Sequence, residues 1–533
     1  MNSLVIIFPV ILMFYLGYRF YSRRIERLIG IDPLRKTPAY EKYDGVDYVP
    51  AKHWTVLFGH HFASIAGAAP VVGPIMAVAI WGWGAALLWV ILGTIFMGGV
   101  HDYCSVMLSV RHGGSSIADV TGVCVSKSAK TVFSVFLWLT LVLIIAVFVR
   151  LCAKTFVVQP EIVAPSLGLI PIAVIVGILL YRLKLNQPAV TVIALSVLVV
   201  LIITGEYFPI PGGHHAMRVW SIVLLLYAFV ASVTPVHILL QPRDYLSAFL
   251  LFFGLLFGYA GLILTHHAVS LPFSVFHAPA AAMPLWPMLF VTIACGAISG
   301  FHAIVASGTT SKQISSESDA RIIGYGGMIT EGLLSAMTII MMVVAFGSVG
   351  ELSHIVNSGD GPVAAFGKGY GQVTLRILGK YGGVFAVLLL NAFILTTLDT
   401  ATRLGRYITQ ELFGIKNRYI ATLGVIILSG WLALSGRWTE IWPIFGAANQ
   451  LIAALTLIVI TSWLLGRQKP VLYTLLPAVF MLLTTIGALL MKINEFWVKR
   501  DGLLFCITGI LLVLALYVFT ESLNKSIEVF KSR

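Results

Sequence analysis

Charge is scarce in this sequence. Asp, Glu, Lys and Arg make up 11% of its 533 residues, against about 25% in a soluble globular domain. With 59% hydrophobic residues and a mean hydropathy of +0.95, the chain has too little polar surface to cover itself in water. That excludes a soluble domain and points to a bilayer. Cysteine is also rare. Cys104, Cys124, Cys152, Cys295 and Cys506 form no CxxC pair, so neither a disulfide scaffold nor a cysteine-based zinc site is expected. P-loop, post-strand GxGxxG, GxSxG and nucleic-acid-binding signatures are missing. No cofactor motif is present, and nothing supplies the soluble domain an ATP-driven pump needs.

Long apolar runs are abundant instead. A membrane-spanning helix needs about 20 mostly apolar residues. The runs predict about fifteen spans, near 3–22, 55–80, 84–109, 131–150, 169–182, 188–205, 219–240, 245–266, 285–308, 322–347, 381–401, 419–436, 441–465, 471–491 and 503–522. The first lacks a basic leader and a small-residue cleavage site, so it reads as a retained helix. Of the 35 Lys and Arg, 25 fall in one set of alternate loops. Basic loops stay cytoplasmic, which puts the N-terminus outside and the C-terminus inside. The net charge of +13 is then a matter of orientation, not of nucleic-acid binding. The stretch "RRIERLIGIDPLRK" predicts an interfacial helix ended by Pro33, and the Gly-rich outer loop 348–380 predicts a connector.

One span is built against the rule for spans. "FGHHFASIAGAAPVVGPIMAVAIWG", from Phe58, carries Gly and Pro along an apolar run. Each unsatisfied N–H or C=O in lipid costs several kcal/mol, so Ala63–Pro74 must face protein or a polar cavity. Transporters hold solutes at such breaks, while close packing of small residues is the alternative. "YAFVASVTPVHILLQPRDY" (Tyr227–Tyr245) resembles it and runs the opposite way, the pattern of an inverted repeat with five helices per unit. Ser64, Ala66, Gly67 and Pro70 in the first break, and Ser232 and Thr234 in the second, are the substrate-binding candidates, with Asn391 upstream of Asp399. A rival partner is "ACGAISGFHAIVASGTTSKQIS" from Ala294. Its Ser307, Thr309 and Thr310 would lie near the first break as an all-oxygen Na⁺ site or a proton path. Hydroxyls bonding their own i−4 carbonyls are the structural alternative.

Only three acidic residues fall inside the expected spans away from their last turn: Asp102, Glu331 and Asp399. An intramembrane acid is a functional candidate. Asp102, Glu331 and the histidines His60 and His101 are the ion-coupling candidates, for H⁺ or Na⁺; His302 is a further titrating candidate. Asp399 has Arg403 at i+4, which predicts a gating ion pair. Arg150 either snorkels to the interface or attracts an anion. His60, His61, His101, His237 and His302 would have to come together across helices for a metal-enzyme reading to hold. Asn449 and Gln450, in a late span, predict a packing contact or a homodimer interface.

"GHHFASIAGAAPVVGP", "MGGVHDYCSVMLSVRHGGSSIADV", "SVTPVHILLQPRDYL", "TTLDTATRLGRY" and "WPIFGAANQLIAALTL" together resemble the carbon starvation protein A family, in family order over about 58–457. The resemblance implies a bacterial or archaeal inner-membrane carrier, linked in some members to peptide uptake and in others to pyruvate import. It also implies membership of the amino acid–polyamine–organocation superfamily and its LeuT-like fold. No family-wide catalytic residue comes with it, and the longer C-terminal region of some members is missing here. The expected protein is an all-α integral membrane protein with a five-plus-five inverted-repeat core. Its parts are 1–54 (first helix and basic segment), 55–205 and 206–401 (the repeats) and 402–533 (additional helices outside the core). It would be a secondary carrier of small carbon nutrients in contact with lipid. A histidine-liganded metal enzyme and a transport-inactive nutrient sensor are the alternatives.

Overall fold

Apolar runs interrupted by small residues and prolines give helices that are long, bent or broken, and the computed structural model shows all three. It describes residues 2–275, 283–358, 361–436 and 438–531. Among these there is no strand, only an isolated bridge between Asn2 and Ala268. The main helices in chain order are α1 (Leu4–Ile29), α2 (Trp54–Ile65), α3 (Ala69–Trp81), α4 (Trp83–Arg111), α5 (Ile117–Cys124), α6 (Lys127–Val158), α7 (Pro160–Leu180), α8 (Gln187–Tyr207), α9 (Gly213–Val233) and α10 (Leu240–Thr265). They continue as α11 (Leu285–Thr292), α12 (Gly300–Gly308), α13 (Glu317–Ala345), α14 (Val349–Asn357), α15 (Gly361–Val373), α16 (Gly382–Phe413), α17 (Arg418–Leu434), α18 (Glu440–Gly466), α19 (Leu472–Val498) and α20 (Gly502–Lys525).

Twelve helices among the described residues are long and apolar enough to cross a membrane, or thirteen with the bent pair α2–α3. The expected count of fifteen is not supported, and two of the three shortfalls share a cause. The run 55–80 is two helices bent by 42°. The run 285–308 is two short helices, α11 of 8 residues and α12 of 9, with seven non-helical residues between them. The run 419–436 makes a helix of only 17 residues. Hydropathy counts apolar residues and is blind to where the backbone stops being helical.

It also misplaces ends. Expected spans 131–150 and 381–401 stop at charged residues, but α6 and α16 run on to 32 residues each. On α16 the inner charges Asp399, Arg403 and Arg406 are buried against partners, and on α6 Arg150 and Lys154 are half-buried within the helix; neither set ends its helix. The basic segment after α1 stops at Gly30, not at Pro33, with φ +72°, a left-handed C-terminal position that suits Gly. The loop 348–380 is not a bare connector. It forms α14 and α15, of which α15 packs on α16 and α13, and α14 on α3; residues 359 and 360 lie outside the described ones.

The bundle centres on α6 and α16, which pack on each other, with α2, α9, α12, α15, α17 and α18 each packed on one or both of them. The most apolar stretch of α18 is 100% buried inside the bundle. At one end of the bundle a strap from Thr37 to His53 crosses several elements. Thr37 Oγ1 donates to the Ile314 carbonyl at 2.6 Å, and Ala51 N–H to the Gln313 carbonyl at 2.9 Å. Val236 N–H donates to the Val46 carbonyl at 3.1 Å. Asp47 closes the strap on α16, with Arg403 Nη1 at 2.9 Å and Arg406 Nη2 at 3.1 Å. Both arginines are buried while Asp47 is 18% exposed. Burial pushes the Asp47 carboxyl up, but Arg406 and Arg403 outweigh it and hold it below its ordinary value.

Asp47→Asn should therefore destabilise the detergent-solubilised protein by about 1–3 kcal/mol, the cost of leaving buried charged donors unmatched. A lowered carboxyl contributes stability above its ordinary pKa that is lost as pH falls through the lowered one. The melting-temperature gap between wild type and Asp47→Asn should hold from neutral pH down to the ordinary carboxylate range and shrink progressively in stronger acid. A gap that closes near pH 6 would contradict this.

Candidate functional site

Backbone groups freed at a helix break must find partners, and here they find side chains. Between α2 and α3 residues 66–68 are non-helical, and between α11 and α12 so are 293–299. The Ala63 carbonyl accepts from Thr396 Oγ1 at 2.6 Å and the Ser64 carbonyl from Thr397 Oγ1 at 3.1 Å, both on α16. Ser64 Oγ lies 3.0 Å from Thr400 Oγ1. Pro70 offers its carbonyl to Ser335 Oγ of α13 at 2.9 Å. On the second break, Ile293 O accepts from Trp89 Nε1 at 3.2 Å and Gly296 O from Thr94 Oγ1 at 3.1 Å. Asn449 of α18 caps α12, its Oδ1 accepting from Phe301 N–H at 2.7 Å.

The two breaks face each other. A Cβ on Gly73 would sit 3.3 Å from Ile293 Cα, and Ser335 both donates to Pro70 and stands 3.0 Å, at its Cβ, from where a Cβ on Gly296 would be. Gly67 is pressed against the α6–α16 pair: its Cβ would lie 3.0 Å from Thr397 Oγ1 and 3.1 Å from the Phe148 ring.

Beside the breaks runs a line of buried ionisable groups from three helices. His302 of α12 has its Nδ1 2.8 Å from Asp102 Oδ2 of α4, and its Nε2 3.2 Å from Glu331 Oε2 of α13. The second contact is within ion-pair range but not aligned as a hydrogen bond, and neither Glu331 oxygen has a hydrogen-bond partner. Asp102 Oδ1 is also 2.8 Å from Nδ1 of its neighbour His101. All four side chains are fully buried. The carbonyl of Ile65, the last residue of α2, faces the His302 ring. Two carboxyls and a shared imidazole, with no fixed cation among them, can take up and release a proton.

A second buried chain lies apart. Asp399 of α16 pairs with Arg243 of α10, with Tyr227 bonded to both. Arg243 Nη2 reaches Asp244 at 2.8 Å, Asp244 reaches His60 Nδ1 at 2.6 Å, and His60 Nε2 lies 3.3 Å from Gln313 Nε2. The expected Asp399–Arg403 pair is thus corrected: Arg403 turns to Asp47 and to the Ala231 and Thr234 carbonyls. A partner on another helix wins because Arg243 is buried and must be neutralised, whereas Arg403 reaches the strap.

Ser64, Ala66, Gly67 and Pro70 gather at the first break as expected. Its partner is the segment from Ala294, not Ser232–Pro235. Ser232 Oγ lies 3.3 Å from Thr422 Oγ1 of α17, and the Thr234 hydroxyl donates to its own Val230 carbonyl at 2.8 Å. Residues 234–239 are non-helical too, but there the strap and Arg403 take up the freed groups. Asn391 Nδ2 donates to Thr155 Oγ1 at 2.6 Å on α6. Ser307 and Thr309 bond their own i−4 carbonyls, while Thr310 Oγ1 is 2.8 Å from His61 Nδ1, so only Thr310 links α2 to the end of α12. His60 belongs to the Asp244 chain and His101 to Asp102. Among the described residues no three of His, Cys, Asp or Glu are arranged to hold a metal ion, which removes the metal-enzyme reading's site. Asn449 and Gln450 are engaged within the chain, the latter with the Phe290 carbonyl. Sequence reasoning missed Arg243 and Asp244, which "QPRDY" assigns to a loop; a charged pair flanked by apolar residues on both sides was the signal.

A model of the family described as carbon starvation protein CstA matches residues 2–349 and 344–488. The chain belongs to this family. The peptide transporter CstA of Escherichia coli (strain K12) is 32% identical over 485 residues, 78% of this chain and 67% of that protein. The pyruvate/proton symporter BtsT of the same organism is 30% identical over 601 residues, covering 95% and 83%. Among solved structures, the manganese transporter of Eremococcus coleocola aligns over 92% of this chain and 99% of its own at 13% identity with a TM-score of 0.53, a likeness of fold.

Asn449→Ala in this CstA-family chain should uncap α12 and lower stability by about 1–3 kcal/mol, read as a lower melting temperature in detergent. An unchanged melting temperature would mean that the α12 amide finds another partner.

Proposed function

We propose that this chain is a secondary carrier that imports small carboxylate nutrients, pyruvate or peptides, across the bacterial or archaeal inner membrane, coupled to protons. The observation that carries the reading is the pair of facing breaks with the His302–Asp102–Glu331 line beside them. Free carbonyls and helix N-termini at such breaks bind solutes, and α3 and α12 both begin there. A helix N-terminus favours a carboxylate, which pyruvate and peptides share. The names of the two Escherichia coli relatives agree with this substrate class.

Protons are favoured over Na⁺ by the groups present. The hydroxyls at the first break already bond carbonyls or one another, and Ser307 and Thr309 are turned to their own helix. The carboxyls around His302 supply titratable groups with no fixed countercharge. A neutral imidazole has one N–H. If it donates to ionised Asp102, its other nitrogen can only accept, so a hydrogen bond from Glu331 to it would need a protonated carboxyl. Ionising Glu331 calls for an imidazolium. The proton count of this line is tied to its geometry, and a rocking of α12 against α4 and α13 would change both.

The architecture supports a LeuT-like five-plus-five arrangement with shifted boundaries, and through it the amino acid–polyamine–organocation grouping. The order broken helix, span, 32-residue helix occurs twice: α2–α3, α4, α6 and then α11–α12, α13, α16. On this reading α9 and α10 complete the first unit, α17 and α18 the second, and α7–α8 is an insertion. The second unit opens at 285 and not near 219, in opposite direction to the first. With α2–α3, α11–α12 and α17 each crossing once, as this arrangement requires, the loop alternation holds and its charge asymmetry supports an N-terminus outside and a C-terminus in the cytoplasm.

In proteoliposomes, an imposed inward proton gradient should drive accumulation of labelled pyruvate or dipeptide, and a sodium gradient should not. Ser64→Leu should abolish uptake and Thr234→Leu should leave it intact. Glu331→Gln should keep solute exchange but lose accumulation against a gradient. Sodium-driven accumulation that ignores the proton gradient, or normal uptake by Ser64→Leu, would overturn the proposal.

A further inference from the structure

A small enclosed cavity lies where α7 and α8 meet α10 and α16, away from the facing breaks. Its walls are mostly leucine and isoleucine, with four polar side chains: Ser166 of α7, Arg243 and Ser247 of α10, and Asn391 of α16. Every one of the four carries a buried atom with no hydrogen-bond partner among protein atoms: Ser166 Oγ, Arg243 Nε, Ser247 Oγ and Asn391 Oδ1. Their other polar atoms are committed. The Arg243 Nη groups hold Asp399, Tyr227 and Asp244, and Asn391 Nδ2 holds Thr155 and Cys152.

An unsatisfied buried polar atom costs about 1–3 kcal/mol, and native proteins keep few of them. Four from three helices around one cavity share a missing partner. The chemistry of the set says which kind. Arg243 Nε can only donate, Asn391 Oδ1 can only accept, and the two hydroxyls do either. The ligand must therefore both accept and donate. A cation is repelled by Arg243. An anion is repelled by Asn391 Oδ1 and by the two carboxylates already on Arg243. The open space is about 10 Å³, room for one water, which makes two to four hydrogen bonds in a buried site.

We propose that Ser166, Arg243, Ser247 and Asn391 hold one structural water, which hydrates the free edge of the Arg243–Asp399 pair and ties α7 to α10 and α16. It accepts from Arg243 Nε and one serine hydroxyl, and donates to Asn391 Oδ1 and the other serine. The proposal stands independently of the transported solute, and it makes Asn391 a water ligand and not a substrate ligand.

The site separates wet from dry by the sign of a substitution. Filling a dry apolar hole stabilises, whereas displacing a bound water strands the groups it served. Ser247→Ala keeps the water with one partner fewer. Ser247→Val displaces it and should lower the melting temperature of the full-length protein by about 1–3 °C beyond Ser247→Ala. A rise with Ser247→Val would overturn the proposal. Because valine can also overpack, a map of the wild-type protein at about 2 Å decides independently. A single water-sized peak within hydrogen-bond distance of at least three of the four atoms is expected. Four resolved side chains with no peak, or a peak replaced by bromide on exchange, would overturn it.

Discussion

The constraint on which this structure rests is that a bilayer offers no partner to a peptide N–H or C=O. Continuous helices meet it within themselves. The two breaks meet it in part through local turns, such as Gly67 N–H to the Ile65 carbonyl and Ala297 N–H to the Ala294 carbonyl, and otherwise through side chains sent from other helices: Thr396 and Thr397 from α16, Ser335 from α13, Trp89 and Thr94 from α4, Asn449 from α18. These bonds hold α2–α3 and α11–α12 against each other and against the α6–α16 pair. The breaks are thus the points around which the bundle is organised.

The same dearth of solvent governs the buried charges. Arg243 is enclosed and has two carboxylates and a phenol, as a charge taken from water requires partners. The His302 line is built differently. It has two carboxyls, no arginine or lysine, and Glu331 oxygens without a hydrogen bond. One cluster is neutralised by fixed charge and suits a structural tie; the other can be neutralised only by protons and suits coupling. Both touch α2, with His60 joined to the first and the Ile65 carbonyl turned to the second.

Much of this was legible in the residues. "FASIAGAAP" cannot make a regular span, so the first break and the inward direction of Ser64, Gly67 and Pro70 followed from composition. Asp102 and Glu331 stood out because lone acids in apolar runs are rare. The partner of the break did not follow. "FVASVTP" looks more like "FASIAGAAP" than "ACGAISG" does, yet the facing segment is the one from Ala294. Likeness between two short apolar strings carries no information about which helices pack. The pairing of Asp399 was misjudged for a related reason: Arg403 is close along the helix, while Arg243 is distant in sequence and was taken for part of a loop.

The sequence alone determined that the chain is helical and belongs in a membrane, where its backbone must break, and that Asp102, Glu331 and Asp399 are buried at a cost. These follow from local composition, because hydropathy and the conformational limits of Gly and Pro act residue by residue. Only the tertiary structure decided which broken segment faces which, that Asp102 and Glu331 share His302, that Asp399 pairs with Arg243, and that Asp47 straps α16. Such pairings depend on how helices far apart in sequence come to lie side by side, and on the need of each buried polar group to find its complement there.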